Sequence, residues 1–247
     1  MRKKILMFVS ILMSLCIPVT AQHNNWDSLL LRLEEFGKQT GVKVERIEKA
    51  HGYVDLGLSV KWATCNVGAE KPEECGNYYA WAETKTKSTY NISTYSYSKG
   101  TIRSPTKYCN DSAYGADGFT DNKVVLDAAD DIAHTEWGDD WRMPTNEEFM
   151  ELMNNCIWSW TTLNGVNGLK MRSKIPGYTD RSIFFPATGS YVGDDISSKG
   201  DAGNYWSSSL YEECPYVSWR FSFSSRKRDT DSSGYRSYGY TVRPVCP

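Results

Sequence analysis

The stretch Trp141–Cys156 constrains the fold of this chain most, because it fixes where a strand ends and a helix begins. Pro144 can neither continue a β-ladder nor sit inside a helix. Thr145 follows it, with Glu148 three residues later, which is the spacing of an N-terminal capping box. Apolar residues then recur at helical spacing and predict a short amphipathic helix. They are Phe149, Leu152, Met153, Cys156 and Ile157.

Residues 1–21 have the pattern of an export signal. Basic residues open the segment, an apolar run follows, and small residues at 19–21 provide a cleavage site. The apolar run is too short for a comfortable membrane span. Cys16 raises the alternative of a lipid anchor, but Leu15 stands where a lipobox has a small residue. We therefore predict a signal peptide and an exported protein that is secreted, periplasmic or held at the cell surface.

The charge balance bears on the class of partner. Removing the leader leaves 25 Lys plus Arg against 30 Asp plus Glu, a net charge near −5. A nucleic-acid-binding protein would show a basic footprint instead. No later stretch is apolar enough to cross a bilayer. We expect neither nucleic acid nor a membrane span, and the oligomeric state stays open.

Six cysteines remain after the leader. An even count in an exported chain favours disulfides, and six cysteines allow 15 pairings. A zinc site is the alternative, but no two cysteines have Cys-x-x-Cys spacing and the three histidines are scattered. We therefore expect no metal and no cofactor. The disulfide candidates are Cys65, Cys75, Cys109, Cys156, Cys214 and Cys246.

The chain after the leader divides into an extension and a body. Residues 22–51 read as an N-terminal helical extension, because apolar residues recur at helical spacing before Gly37. Residues 52–247 read as one domain, and Val54–Trp62 gives its clearest strand signal by strict alternation. The segment 83–122 is rich in Thr, Ser, Tyr, Asn and Gly and reads as a long loop, which is usually functional or disordered.

Short strands follow a second helix signal. A narrow apolar face between Val125 and Ile132 predicts a helix that begins near Asp121. Asn164-Gly165 predicts a tight hairpin turn. Further strands are expected at 182–187, 204–209, 217–223 and 240–246.

Five segments of the body resemble a known family when they are taken in order. They are Val54–Ala69, Gly76–Trp81, Trp137–Thr145, Gly203–Ser209 and Val242–Val245. Together they cover residues 53–246 and resemble the major paralogous domain (FISUMP) family of bacterial exported proteins. The resemblance implies an α+β, C-type-lectin-like fold, with two short helices, a small mostly antiparallel sheet and long loops. That fold is similar to the formylglycine-generating-enzyme branch of lectin-like proteins.

Departures from related families argue against two kinds of chemistry. The Glu-Pro-Asn, Gln-Pro-Asp and Trp-Asn-Asp ligand motifs of calcium-dependent lectins do not occur. Formylglycine-generating enzymes carry two copper-binding cysteines a few residues apart. The closest pair here, Cys65 and Cys75, lies near the start of the fold. Glu147 and Glu148 suit a helix N-terminus better than an acid/base pair. We predict no enzymatic activity, with a formylglycine-generating oxidase as the less favoured alternative.

Aromatic loops suggest binding instead. The chain has 9 Trp, 16 Tyr and 8 Phe, and tyrosine offers a flat apolar face with a polar edge. We predict a non-enzymatic module that recognises glycans or surface proteins through the loops at 190–216 and 224–239. The alternative is a structural or assembly component of the cell envelope that docks through 22–51. The candidate ligand-binding residues are Tyr191, Tyr211, Tyr216, Arg226, Arg228, Tyr235 and Tyr238.

Overall fold

A computed structural model describes residues 51–138 and 140–247, with the backbone alone at 230–232. The predicted signal peptide, the lipid-anchor alternative at Cys16, and all of the predicted 22–51 extension except His51 lie outside these residues. Within the described ranges no helix is long and apolar enough to cross a membrane.

The described part of the chain is a mixed α+β fold with two α-helices. Helix α1 spans Ile132–Trp137 and helix α2 spans Asn146–Asn155. The predicted capping box of α2 is confirmed. The Thr145 hydroxyl accepts from the Glu148 amide at 3.3 Å, and the Glu148 carboxylate accepts from the Thr145 amide at 2.9 Å. These bonds satisfy two amide groups that a helix N-terminus would otherwise leave unpaired.

Two parts of the helix prediction are wrong. Residues 121–127 are not helical. Val125, 45% exposed, instead forms an isolated bridge with Ser209. Helix α1 begins later because Asp131 caps it, accepting from the Ala133 amide at 2.9 Å. Ile157 is not on the buried stripe of α2, since the chain is already a strand there and this side chain is 49% exposed.

Four small sheets account for the described strands, and their ladders are antiparallel. The first joins β1 (Tyr53–Val54), β2 (Lys61–Ala63) and β11 (Val245–Cys246). The second joins β3 (Cys156–Leu163), β4 (Val166–Ser173) and β5 (Ser182–Pro186). A two-stranded ribbon joins β6 (Ser190–Val192) and β7 (Asp195–Ser197). The fourth joins β8 (Ala202–Leu210), β9 (Val217–Ser224) and β10 (Arg228–Tyr235).

The β3–β4 hairpin confirms a turn predicted from the sequence. Leu163 pairs with Val166, which leaves Asn164 and Gly165 as the two turn residues. Both have positive φ, 48° and 84°, as a type I′ turn requires. The strands predicted at 182–187, 204–209 and 217–223 are confirmed as β5, β8 and β9.

The single strand predicted at Val54–Trp62 is wrong. The chain bends at Gly57, whose φ is +74°, and returns so that Val54 of β1 pairs with Trp62 of β2. A side chain at Gly57 would place its Cβ 2.6 Å from the Tyr178 ring. The alternating pattern reflects burial instead. Leu56 and Trp62 are fully buried despite the bend.

The main core lies between helix α2 and the sheets. Phe149 and Leu152 of α2 are fully buried against Trp62, Phe185 and Phe221. A second cluster is built around Trp81 and Trp206, whose indole N–H groups donate to the backbone oxygens of Ser207 and Tyr79 at 2.8 Å. Residues from near the two ends of the body, such as Trp62 and Phe221, therefore pack together in the main core.

Candidate functional site

The β9–β10 hairpin places aromatic rings at one end of its sheet. Tyr216 immediately precedes β9 and Tyr235 ends β10, opposite Val217. Their rings are nearly parallel, with an interplanar angle of 25° and centroids 6.4 Å apart. Tyr235 is 37% exposed and packs edge-on against Tyr238. The end of the hairpin thus presents tyrosine faces to solvent.

The tyrosines at the end of the β9–β10 hairpin form one wall of a cleft, and the long segment predicted as a loop, residues 83–122, forms the opposite wall. Asn91 caps a short 3-10 helix, Ile92–Thr94, by accepting from the Ser93 amide at 3.0 Å. Beyond it the chain folds back, and Ser98 forms an isolated bridge with Pro105. Ile102, at the tip of this fold, is 40% exposed. Internal hydrogen bonds therefore order a segment whose regular structure is limited to short 3-10 helices and isolated bridges.

The space between these two walls is a narrow, open cleft with room inside for about one water molecule (about 10 Å³), which we call the tyrosine cleft. Four of its lining residues are tyrosines, and the others are mostly apolar or small and polar. The lining residues are Ile92, Tyr95, Tyr97, Ser98, Ile102, Pro105, Tyr216, Tyr235, Arg236 and Ser237.

A buried arginine lies beneath the tyrosine cleft. Arg236 is 2% exposed, and its guanidinium carbon lies 4.7 Å from the centroid of the Trp81 ring. Its Nε donates to the Tyr95 hydroxyl at 2.9 Å. Its Nη atoms donate to the carbonyl oxygens of Tyr108, Pro215 and Lys107 at 2.8–3.2 Å. Arg236 therefore ties together both walls of the cleft.

The hydroxyl of Tyr97 is held from behind by a carboxylate. It donates to Oδ1 of Asp130 at 3.1 Å, and Asp130 also accepts from Tyr108 and Lys107. Burial, together with the Asp130 charge, raises the pKa of Tyr97 to about 12. Tyr97 is therefore neutral near pH 7 and offers its ring to the cleft.

The seven residues predicted to bind ligand are divided by the structure. Tyr216 and Tyr235 line the tyrosine cleft, and Tyr238 packs against Tyr235. Tyr211 lies at the same end of the sheet, but it packs on Trp219 and is not part of the lining.

Tyr191 and the two arginines lie elsewhere. Tyr191 belongs to β6, where its ring packs against Tyr78 and Tyr90. Arg226 and Arg228 lie at the far end of the β9–β10 hairpin, roughly 20 Å from Tyr235 at the usual rise of a strand. Burial lowers the pKa of Arg228, whose guanidinium carbon lies 4.7 Å from the Trp158 ring.

Several residues of the tyrosine cleft could not be predicted as binding residues, because no local sequence pattern marks them. Tyr95 and Tyr97 alternate with serines in the segment noted for its many tyrosines, but nothing local singles them out. No local sequence pattern marks Arg236 as a cleft residue, because each group that accepts its hydrogen bonds is at least 21 residues away in the chain.

A larger cleft of about 320 Å³ lies over the outer face of the β3–β4–β5 sheet. Its lining includes Thr161, Lys170 and Ser182 on that face, with Val54 and Thr64 at its side. Phe184 is its one aromatic lining residue and is 8% exposed. It therefore offers far less aromatic surface for stacking than the tyrosine cleft.

The six cysteines named as disulfide candidates are all free thiols in the structure. Cys109, Cys156 and Cys246 are buried, and the other three are half-buried. Within residues 51–138 and 140–247, no group of three or more His, Cys, Asp or Glu side chains could hold a metal ion.

Comparison with known proteins gives one match. Residues 177–245, which include β8, β9 and β10, match a family described as a domain of unknown function (DUF8237). The matched region supplies Tyr216, Tyr235, Arg236 and Ser237 to the tyrosine cleft, while the opposite wall precedes it in the chain. No curated protein and no solved structure matches the chain.

Proposed function

We propose that this chain is an exported, non-enzymatic binding module that recognises glycans through the tyrosine cleft without calcium. The observation that carries the proposal is the nearly parallel pair of Tyr216 and Tyr235, facing a wall that contains Tyr95 and Tyr97. Tyrosine faces suit sugar rings because each ring combines an apolar surface with a polar edge. The hydrogen bonds of Arg236 hold the walls in place before any ligand arrives, which lowers the cost of ordering side chains on binding.

The fold supports this proposal at the level of architecture. We propose a C-type-lectin-like arrangement of the FISUMP kind, on the order of the five resembling segments. The pairing of β11 with β2, which brings the two ends of the body together, is consistent with it. Export rests on the signal-like residues 1–21. Fold analogy alone does not identify a ligand, so the cleft is the part to test.

A glycan array and a panel of extracellular-matrix proteins, screened with and without chelator, test the proposal. We expect glycan binding that chelation does not change. Tyr216→Ala and Tyr235→Ala should each weaken it about tenfold, since an aromatic contact contributes roughly 0.5–1.5 kcal/mol beyond its buried area. Tyr53→Ala is the matched control, because Tyr53 is 54% exposed and lies outside the cleft.

Each alternative function predicts a different result. Binding that is lost on chelation would overturn calcium independence. A blank screen would favour the assembly component, and deletion of residues 22–51 should then release the protein from its envelope partner. Binding of copper would favour the formylglycine-generating oxidase, and failure to bind it would remove that alternative.

A further inference from the structure

We propose that the ligand of the tyrosine cleft is an acidic glycan, whose carboxylate or sulfate group lies against Arg103 and above Arg236. This inference rests on the proposed function, because it assigns a chemical class to the ligand of the same cleft. It differs from the anionic-glycan idea that the run Arg226–Arg228 suggests, since that run lies at the other end of the β9–β10 hairpin.

The first observation is the state of Arg236. Its hydrogen bonds go to one hydroxyl and three carbonyl oxygens, all of them uncharged. Among the ion pairs of the described residues, none includes Arg236. A guanidinium stays protonated in proteins, so a positive charge is buried here without a carboxylate. Its field reaches Tyr95 and Tyr97, which both line the cleft.

The second observation is Arg103 at the rim. Its guanidinium carbon lies 5.5 Å from the centroid of the Tyr216 ring, and the residue is exposed. The described ion pairs leave Arg103 without a carboxylate as well. The planar fork of an arginine matches the two oxygens that a carboxylate or sulfate presents. Because the Arg103 guanidinium lies over the Tyr216 ring, a sugar bound in the tyrosine cleft would place its acidic substituent within reach of the outer face of Arg103.

The third observation concerns the carboxylates of the wall formed by residues 83–122 and of Asp130, which lies behind this wall. Three of them each contact a lysine. The pairs are Glu83 with Lys87, Asp117 with Lys99 and Asp130 with Lys107. Two further carboxylates of this wall, Asp111 and Asp121, accept hydrogen bonds from backbone amides of the same segment instead. Neither lines the cleft, and Arg236 is the one charged residue among the described residues that do. With Arg103 at the rim, the immediate surroundings of the cleft therefore carry positive charge, which favours an anionic ligand.

The experiment compares acidic glycans with neutral counterparts of the same backbone. Calorimetric titration of the full protein measures the affinity for each member of two pairs. The first pair is oligogalacturonate and its methyl ester, and the second is a sulfated chondroitin oligosaccharide and its desulfated form. We expect at least one acidic member to bind about tenfold or more tightly than its neutral partner, a difference of about 1.4 kcal/mol. The preference should shrink as salt rises, because the Arg103 contact is exposed to solvent.

Arg103→Gln supplies the decisive variant, since an exposed side chain can be changed without disturbing the core. It should reduce the preference for the acidic glycan while the neutral glycan binds as before. Arg226→Gln, at the far end of the hairpin, is the matched control and should change neither. Equal binding of acidic and neutral members would overturn this inference and leave the proposed function standing. Binding of neither would overturn the proposed function itself.

Discussion

Arg243 donates a hydrogen bond from Nε to the side-chain oxygen of Asn66 over 2.7 Å, although the two residues are 177 positions apart. Both residues are fully buried. The Nη1 group of Arg243 also donates to the carbonyl oxygens of Ala63 and Thr64 at 3.0 Å. Burial lowers the pKa of Arg243 to about 10, so the group is still charged at neutral pH. This one cation joins a residue near the end of the chain to the end of β2 and the residues that follow it.

Replacing Arg243 should therefore destabilise the whole domain. Arg243→Ala leaves three buried oxygens without donors, and each such loss costs about 1–3 kcal/mol before any relaxation. We expect the free energy of unfolding to fall by about 3–5 kcal/mol. Urea unfolding measures it, and Arg226→Ala, at an exposed turn, should stay within about 0.5 kcal/mol of the parent. A loss below about 1 kcal/mol for Arg243→Ala would show that the hydrogen bonds of Arg243 contribute little to the stability of the domain.

Asp130 should make the fold sensitive to acid. Burial by itself raises the pKa of Asp130, but hydrogen bonds from Lys107, Tyr108 and Tyr97 outweigh it and hold the pKa below its usual value. A carboxyl with a lowered folded pKa stabilises the fold above its unfolded pKa, about 3.9, and loses that contribution as the pH falls through the folded pKa.

Asp130→Asn isolates this effect, because the other carboxylates titrate in both proteins. The variant should be less stable than the parent near pH 6, and the gap should narrow as the pH falls toward about 2. Urea unfolding at a series of pH values measures the gap. A gap that stays constant across the series would show that the Asp130 charge contributes nothing to stability.

Gly76 should tolerate substitution less well than Gly177, although both have positive φ, 70° and 86°. A Cβ at Gly76 would lie 2.3 Å from the carbonyl oxygen of Val67, whereas nothing lies within 4 Å at Gly177. Gly177→Ala should cost about 1 kcal/mol for the left-handed backbone alone. Gly76→Ala should cost an additional 1–3 kcal/mol or so for the clash. Thermal unfolding of the pair tests this, and equal losses would place the whole effect in backbone conformation.

Local patterns in the sequence predicted the local structure well. The Thr145–Glu148 box and the Asn164-Gly165 turn are decided by residues within a few positions of each other, and both are confirmed. The bend at Gly57 was missed because alternating burial looks the same in one strand and in two short ones.

Contacts between residues far apart in the chain could not be predicted from local sequence patterns. Arg236 and Arg243 look like surface cations in the sequence, and only partners far along the chain make them interior. Tyr216 and Tyr235 were predicted as binding residues, but their facing wall comes from residues more than 100 positions earlier. The structure groups these tyrosines with Arg103 and separates them from Arg226 and Arg228.

The six thiols should differ sharply in reactivity. Burial raises the pKa of Cys109 and Cys246, and raises that of Cys156 to about 11, so these three carry little of the reactive thiolate near pH 8. In the reduced, folded protein we expect an alkylating reagent to label the half-buried cysteines first. They are Cys65, Cys75 and Cys214.

Peptide mass spectrometry after timed labelling measures this order, and the same reaction in concentrated guanidinium chloride should label all six. The protein isolated under oxidising conditions provides the comparison with the disulfides expected from the even cysteine count. A pair of unlabelled peptides that have lost two hydrogens would establish a disulfide and identify its members. Rapid labelling of Cys156 in the folded protein would contradict its burial in the main core, because only an opened core would expose it.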